Sequence, residues 1–262
     1  MKDAFRLDGK VVVLTGAAGI IGREAVRIFL EAGARVFAID RDAGVLADVL
    51  GPLHAGLLTF AGDIAQQASV QQAQQLLAGR WGNADVLLNN AAAKSDNFFE
   101  PFESYPQDDW NQVLSVNLTG AMLCAQAFGS DMAARGNGCI VNTLSIYGIS
   151  GPDQRIYEGS QYLGRAINTP AVYAASKAGL WGLTLYLATY WGHRGVRVNG
   201  VTPGGVFSGQ NDIFASNYAA RVPLGRMAEA ADMAHGMRYL ASDAAKYVTG
   251  HNLVIDGGWT AW

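Results

Sequence analysis

Lys10-Val11-Val12-Val13-Leu14-Thr15-Gly16-Ala17-Ala18-Gly19-Ile20-Ile21-Gly22 decides how the rest of the chain folds. Its first half is apolar and β-branched without polar alternation, the pattern of a strand buried on both faces. The glycine-rich turn follows, and Arg23 to Ala32 then carries apolar residues at helical spacing and stops at Gly33. Arg35-Val36-Phe37-Ala38-Ile39 is the next strand, and it ends at Asp40. A strand, a glycine-rich turn, a helix and a strand ending in an acid form a mononucleotide-binding unit. The glycines let backbone approach a pyrophosphate, whose charge meets the amino end of the helix. Asp40 lies 24 residues after Gly16, where an acid reaches ribose hydroxyls.

The alternation runs on from there. Leu57 to Ala61 reads as a strand ending at Gly62-Asp63-Ile64, and Gln66 to Ala78 as a helix with a polar outer face. Asp85-Val86-Leu87-Leu88 is a strand leading into Asn89-Asn90-Ala91. Asp109 to Ala134 is a long helical stretch containing Asn117, and Cys139 to Leu144 is a strand ending at Ser145. A helix runs from Tyr173 to about Gly192, and Val196 to Val201 is a strand ending at Pro203-Gly204. Asp212 to Arg221 and Ala230 to Ser242 are weaker helices, and Asn252 to Ile255 is the last strand, before Asp256-Gly257-Gly258. This pattern predicts an α/β chain: one Rossmann domain over 1–262, a doubly wound parallel sheet of about seven strands with helices on both faces. Such sheets bind ligands beyond the carboxyl ends of their strands, where Gly16, Asp40, Asp63, Asn89, Ser145 and Pro203 fall.

Bulk properties narrow the classes. Of 262 residues half are hydrophobic and 16% charged, too apolar a mix for a disordered chain. A net charge of −3 gives no electrostatic case for nucleic acid or an anionic membrane surface. No uninterrupted apolar run reaches the ~18 residues of a spanning helix, and Met1 to Gly9 is too charged and short for a signal peptide. A cytoplasmic location is the default expectation. Cys124 and Cys139 have neither metal nor redox spacing and are expected to fill small apolar sites. His54, His193, His235 and His251 show no metal spacing either, so no metal is expected.

The stretch that carries chemistry is Tyr173-Ala174-Ala175-Ser176-Lys177. On a helix the tyrosine and lysine sit one turn apart on one face. A phenol titrates near pH ~10, and an ammonium beside it favours the phenolate and draws that value down. Such a pair takes a proton from an alcohol, or gives one to a carbonyl, near neutrality. The spacing alone is common on solvated helix faces; the rest of the chain gives it weight.

Taken in order, Thr15 to Gly22, Asp63, Asn89-Asn90-Ala91, Asn117, Ser145, Tyr173 to Lys177, Pro203-Gly204 and Asp256-Gly257-Gly258 resemble the motif series of the short-chain dehydrogenases/reductases, in their short single-domain branch. The resemblance implies an oxidoreductase that interconverts a secondary alcohol and a ketone by hydride transfer with a nicotinamide cofactor. It makes Tyr173 the proton donor or acceptor and Lys177 the residue that lowers its pKa and holds the nicotinamide ribose. It makes Ser145 the group that orients the substrate oxygen, and Asn117 the holder of a relay water. It places the pyrophosphate at Gly16, Gly19, Ile20, Ile21 and Gly22 and the adenosine ribose at Asp40, with Arg41 beside it able to stack on adenine or engage a phosphate. Asp63 and Ile64 would meet adenine, and Asn90 and Ala91 would line the adenosine side. Pro203, Gly204, Val206 and Ser208 would join Tyr173 and Lys177 at the nicotinamide end. Family members imply a homodimer or homotetramer.

The chain departs from the family in three places, the mildest being Ser208 where threonine is common, which keeps the hydroxyl. The usual three-glycine turn would put glycine at position 20, where this chain has Ile20 and supplies Gly19 instead. That spacing resembles the longer branch that works on nucleotide sugars, whose substrate domain is not in this sequence. Ser145 and Tyr173 stand 28 residues apart, more than the family's usual separation. The added segment, about 150–169, carries Asp153, Arg155, Tyr157, Glu158, Tyr162 and Arg165. It leaves beside the serine and returns beside the tyrosine. It is therefore a lid over the substrate cleft, an interface with a neighbouring subunit, or a tolerated surface insertion. As a lid it would set Arg155 and Arg165, with Lys94 and Ser145, against a polar or anionic substrate: a sugar, sugar phosphate or polyol. The turn and insertion together resemble oxidoreductases of surface-sugar and flagellin-modification pathways.

Asp40 accepts from ribose hydroxyls and repels a 2′-phosphate, and Ala17 and Ala18 offer no compensating cation. NAD is expected over NADP, with Arg41 dissenting. The aromatic end, Trp259-Thr260-Ala261-Trp262, is expected to dock within an oligomer. Three other readings fit the same residues. They are reduction of a 3-oxoacyl or other small carbonyl, an epimerase or dehydratase that keeps its cofactor, and a non-catalytic NAD-binding protein.

Overall fold

The computed structural model describes residues 3–50, 54–162 and 164–262, without the side chains of Val49 and Tyr162. Leu163 and the side chain of Tyr162, both in the insertion, thus lie outside the described residues, as do Met1 and Lys2 of the segment weighed as a signal peptide.

The opening stretch forms β1 (Val11–Thr15), and α1 (Ile20–Glu31) leads to β2 (Arg35–Asp40). α2 (Ala43–Leu50), β3 (Leu57–Ala61), α3 (Gln67–Trp81) and β4 (Val86–Asn89) follow. The long helix α4 (Gln107–Arg135) leads to β5 (Gly138–Thr143). The insertion holds a short hairpin, β6 (Gln161–Tyr162) and β7 (Arg165–Ala166). The last elements are α5 (Ala171–Gly192), β8 (Val196–Pro203), α6 (Asp212–Ala219), α7 (Ala230–Ala241) and β9 (Asn252–Ile255).

Seven strands make one parallel sheet in the order β3-β2-β1-β4-β5-β8-β9, as the alternation predicts. Strand order reverses between β1 and β4, the switch point where such sheets bind ligands. Along β1, Val12 and Leu14 enter the core beneath α1 and α7, while Val11 and Val13 enter the core on the opposite face. Both faces are covered, which is why the strand shows no polar alternation. Each fully buried Val, Leu, Ile or Phe in these cores contributes roughly 1.5–3 kcal/mol of transfer free energy.

Three local readings change. α1 starts at Ile20 rather than Arg23, because Gly19 is extended and Ile20 takes the first helical position. α2 is additional to the sequence reading: Asp42 accepts from the N–H groups of Gly44 (2.8 Å) and Val45 (3.1 Å) and so caps its amino end. α4 is long and apolar enough to cross a membrane by length and composition, although it holds no unbroken apolar run. Its apolar side, including Val113, Cys124, Phe128 and Met132, is buried within the described fold. Two stretches of α4, Ser115–Gly120 and Ala125–Gly129, are wound as π-helix, a form frequent near functional sites.

Candidate active site

The cleft at the carboxyl ends of the strands is built first by glycine. Gly16 has φ +68°, and a Cβ there would lie 2.7 Å from the Cα of Ala91. A Cβ on Gly22 would lie 2.0 Å from the carbonyl oxygen of Gly16, so the helix can press against the turn only through a glycine. Gly22 is thus a packing residue beneath the cleft. Ile20 needs no glycine, because its backbone is helical. The first bond of α1 runs from Arg23 N–H to Gly19 (2.9 Å), no side chain caps the helix, and its first turn carries no acid. The amino end is open to an anion.

Thr15 and Asn90 brace this turn. The Thr15 hydroxyl accepts from the N–H groups of Asn90 (3.1 Å) and Ala91 (3.2 Å). The Asn90 amide donates to the carbonyls of Thr15 (3.3 Å) and Gly16 (3.2 Å). At the tip of β2, Asp40 accepts from Ala18 N–H (2.9 Å) and Arg41 N–H (2.7 Å), which fixes its carboxylate toward the cleft. A cavity of about 720 Å³ runs along this edge. Gly16, Gly19, Ile20 and Ile21 line it from the turn; Asp40 and Arg41 from β2; Asp63 and Ile64 from the end of β3. Asn90, Ala91 and Lys94 line it after β4, and Val206 and Ser208 after β8. The uncapped helix end, the glycine contacts and the fixed carboxylate fit a dinucleotide.

A second cavity of about 290 Å³ shares Ile21, Asn90, Ala92 and Val206 with the first, so the two are ends of one cleft. Ser145, Tyr173, Lys177, Pro203 and Gly204 line it together, as the sequence predicts. Ser145 caps a turn at 146–148, its hydroxyl accepting from Tyr147 N–H (3.2 Å). Gly148 lets that turn touch α5, since a Cβ there would lie 2.8 Å from the backbone carbon of Lys177. Lys177 is buried, and its Nζ donates to the carbonyl of Thr143 (2.7 Å) while standing 5.8 Å from the Tyr173 ring centre.

Burial brings the Lys177 ammonium down to about 8. Burial also pushes the Tyr173 phenol up, opposed by a hydrogen bond with Ser145. In the chain by itself, then, desolvation sets the direction of the phenol's shift, opposite to the lowering expected from Lys177.

Asn117 lies beneath the cavities rather than on their walls. Its carbonyl oxygen accepts from Ala93 N–H (2.8 Å) and its amide donates to Ser176 Oγ (3.1 Å), tying α4 to the helix of Tyr173. The sequence reading did not find a buried chain deeper still. Asn89 donates to Asn142 (2.9 Å), Asn142 to Thr184 (2.8 Å), and Thr184 to the carbonyl of Leu180 (2.8 Å).

The expected cations of the insertion do not reach the site. Arg155 is exposed and pairs with Asp153 (2.8 Å), and Arg165 is exposed in the hairpin; neither lines the cleft. Lys94 faces the larger cavity only, about 6 Å from the rings of Phe98 and Phe99. The far wall of the smaller cavity is instead Tyr147, Tyr157, Gln210, Phe214, Tyr218 and Met227. Their position after Ser145 and after Pro203-Gly204 was the available signal. The aromatic tail docks on its own chain: Trp259 stacks on Tyr218 at 4.6 Å, and the Trp262 indole N–H donates to the carbonyl of Arg221 (3.1 Å). Cys124 and Cys139 are buried free thiols whose titration burial pushes up, Cys124 to about 12. A cavity of about 500 Å³ at the opposite end of the sheet, beside Lys10, Asp85 and Arg197, is lined by Cys139 but by none of the residues of the cleft.

Comparison with known proteins places the chain among enzymes of this geometry. The sequence profile of a family described as enoyl-(acyl carrier protein) reductase matches residues 16–260. The D-threitol dehydrogenase of Mycolicibacterium smegmatis is 36% identical over 98% of this chain and 95% of its own length. A short-chain dehydrogenase from Leptospira borgpetersenii, solved with bound NAD+, superposes with a TM-score of 0.87 at 35% identity, covering 99% of this chain and 96% of that one. A gluconate 5-dehydrogenase from Burkholderia cenocepacia, solved with NADP and tartrate, gives 0.84 at 29% identity, covering 99% and 98%.

Proposed function

The chain belongs to the short-chain dehydrogenase/reductase family, as an oxidoreductase of CH–OH groups that uses a nicotinamide cofactor, and from that premise we propose that it interconverts a secondary alcohol of an uncharged polyol or sugar with the ketone, using NAD. The observation that carries this reading is the make-up of the smaller cavity. Four phenols, Ser145 and Gln210 face it, and its one cation among the described residues, Lys177, is turned to the Thr143 carbonyl. Hydroxyl-rich walls pair with hydroxyls. A phosphate or carboxylate would find no arginine there, so the sugar phosphate of the earlier expectation is set aside.

Ser145 holds the substrate oxygen against Tyr173. The half-buried phenol, raised by desolvation, is neutral at rest, so in the reductive direction it gives its proton to the forming alkoxide. Lys177, one helical turn on, stabilises the phenolate left behind. In the oxidative direction Tyr173 takes the alcohol proton at the same oxygen. Asn117 positions α5 through Ser176 rather than touching the substrate. The bound nicotinamide supplies the hydride acceptor or donor. Gly16, Gly19, Ile20 and Ile21 would receive its pyrophosphate, Asp63 and Ile64 its adenine, and Val206 its carboxamide.

Asp40 supports NAD over NADP. Its carboxylate is locked by two N–H donors in the cleft, where it would accept from ribose hydroxyls and repel a 2′-phosphate. Arg41 is exposed and competes only weakly for that charge. We also read the chain as a homodimer or homotetramer. Leu185, Tyr186 and Tyr190 on α5 are exposed, and the two tyrosine rings stack at 5.5 Å, an apolar patch that suits a second copy. The proposal is tested by a panel of polyols, monohydric alcohols, sugar phosphates and 3-oxoacyl thioesters with NAD+/NADH and NADP+/NADPH, following nicotinamide absorbance. Fastest turnover on a neutral polyol with NAD supports it; turnover confined to phosphorylated or acyl substrates overturns it.

A further inference from the structure

The insertion was open between lid, interface and surface loop. Its contacts hold it down within the chain. The Asn217 side-chain amide of α6 donates to the carbonyls of Ile156 (3.3 Å) and Glu158 (3.0 Å), gripping the backbone on both sides of Tyr157. Asp153 pairs with Arg221 (2.9 Å), and the Asn211 side-chain amide donates to Ser160 Oγ (2.8 Å). Ile156 is buried, and the Tyr157 ring stacks on Phe214 at 5.7 Å and 24°. A segment gripped at this many points is a fixed wall.

What that wall presents is a phenol. Tyr157 lines the smaller cavity with Ser145 and Tyr173, and its hydroxyl bonds to Thr169 Oγ1. The Tyr147 hydroxyl stands 3.4 Å from it, longer than the ~2.7–2.8 Å of a relaxed hydroxyl pair. Two neutral phenol oxygens at that separation can both bond one further hydroxyl that bridges them from the cavity side.

We propose that Tyr157 is a specificity-determining residue, its phenol, paired with that of Tyr147, binding a second hydroxyl of the substrate while Ser145 and Tyr173 hold the reacting one. The inference rests on the polyol reading above and adds the residue that reads it. It requires no movement of the insertion, because the grip on either side of Tyr157 sets the phenol before substrate arrives.

The test compares threitol with 2-butanol, the same four-carbon chain with a single hydroxyl, as substrates of the full chain. Tyr157→Phe should lower kcat/KM on threitol about tenfold, mainly through KM, as expected when a site loses a partner for a bound hydroxyl. It should leave 2-butanol within about twofold. Thr169→Val, which frees the phenol without removing it, should shift the threitol to 2-butanol ratio the same way by a smaller factor. An unchanged ratio in both variants, with wild-type activity on threitol intact, overturns the role of Tyr157 and leaves the polyol reading standing. A wild-type enzyme that oxidises 2-butanol but no polyol overturns the reading and the role together.

Discussion

Lys177 points its ammonium at the carbonyl of Thr143, 2.7 Å away, so the helix that carries Tyr173 is joined by a charge-assisted hydrogen bond to the strand that delivers Ser145. The bond crosses between the two elements whose relative position the chemistry depends on. It also places a titratable group in the core, with a consequence for stability.

Burial holds the folded Lys177 near 8, below its ordinary 10.5. Between those values the unfolded lysine binds a proton that the folded one lacks, so stability rises with pH. Below about 8 both forms are charged, and the burial cost is borne in full. Relative to Lys177→Met, the wild type should therefore gain stability between about pH 8 and 10, by at most about 3 kcal/mol. Urea titrations of both proteins across that range check it; parallel curves would mean that the lysine is not desolvated.

The turn at Gly16 makes a separate prediction. Gly22→Ala drives a methyl group toward the Gly16 carbonyl at 2.0 Å, so turn and helix must separate. Dinucleotide affinity should fall by about tenfold or more, with a loss of about 1–3 kcal/mol in stability from overpacking. Fluorescence titration with NADH and thermal unfolding read the two effects. Gly19→Ala, whose Cβ would lie 3.3 Å from the same oxygen, should be far milder.

The proposed preference for NAD is tested at Asp40. Asp40→Ala removes the carboxylate proposed to meet the 2′ position, so kcat/KM for NAD should fall about 10- to 100-fold and that for NADP should hold or rise. A wild type that turns over NADP at least as well as NAD contradicts the assignment.

The buried chain Asn89–Asn142–Thr184 ties β4 and β5 to α5. Thr184→Val keeps the shape of the side chain and leaves the Asn142 amide without its acceptor. The expected cost is about 1–3 kcal/mol of stability, measured by denaturant unfolding. A neutral result would mean that water replaces the threonine.

Much of this was legible in the chain because each signal was local. β1 announced burial on both faces through unbroken β-branched residues, and Tyr173 and Lys177 announced a shared helix face through their spacing. The relation of Tyr157 to Tyr147, and of Asn142 to Thr184, was not legible, because those pairs form only when distant elements pack. Arg155 misled for a related reason. Sequence shows that a cation is present, whereas only packing shows that Asp153 takes it. Ile20 stands where the usual turn has glycine, yet position 20 is helical in this turn and the demand for glycine falls on Gly16 and Gly22.

The central claim is that the Tyr173 phenol moves the substrate proton. Tyr173→Phe keeps the ring against Phe98 and removes only the hydroxyl. With the substrate that the wild type turns over best, the account predicts a fall in kcat of about 100-fold or more, with NADH affinity and unfolding midpoint nearly unchanged. Turnover at the wild-type rate by the purified variant would contradict it.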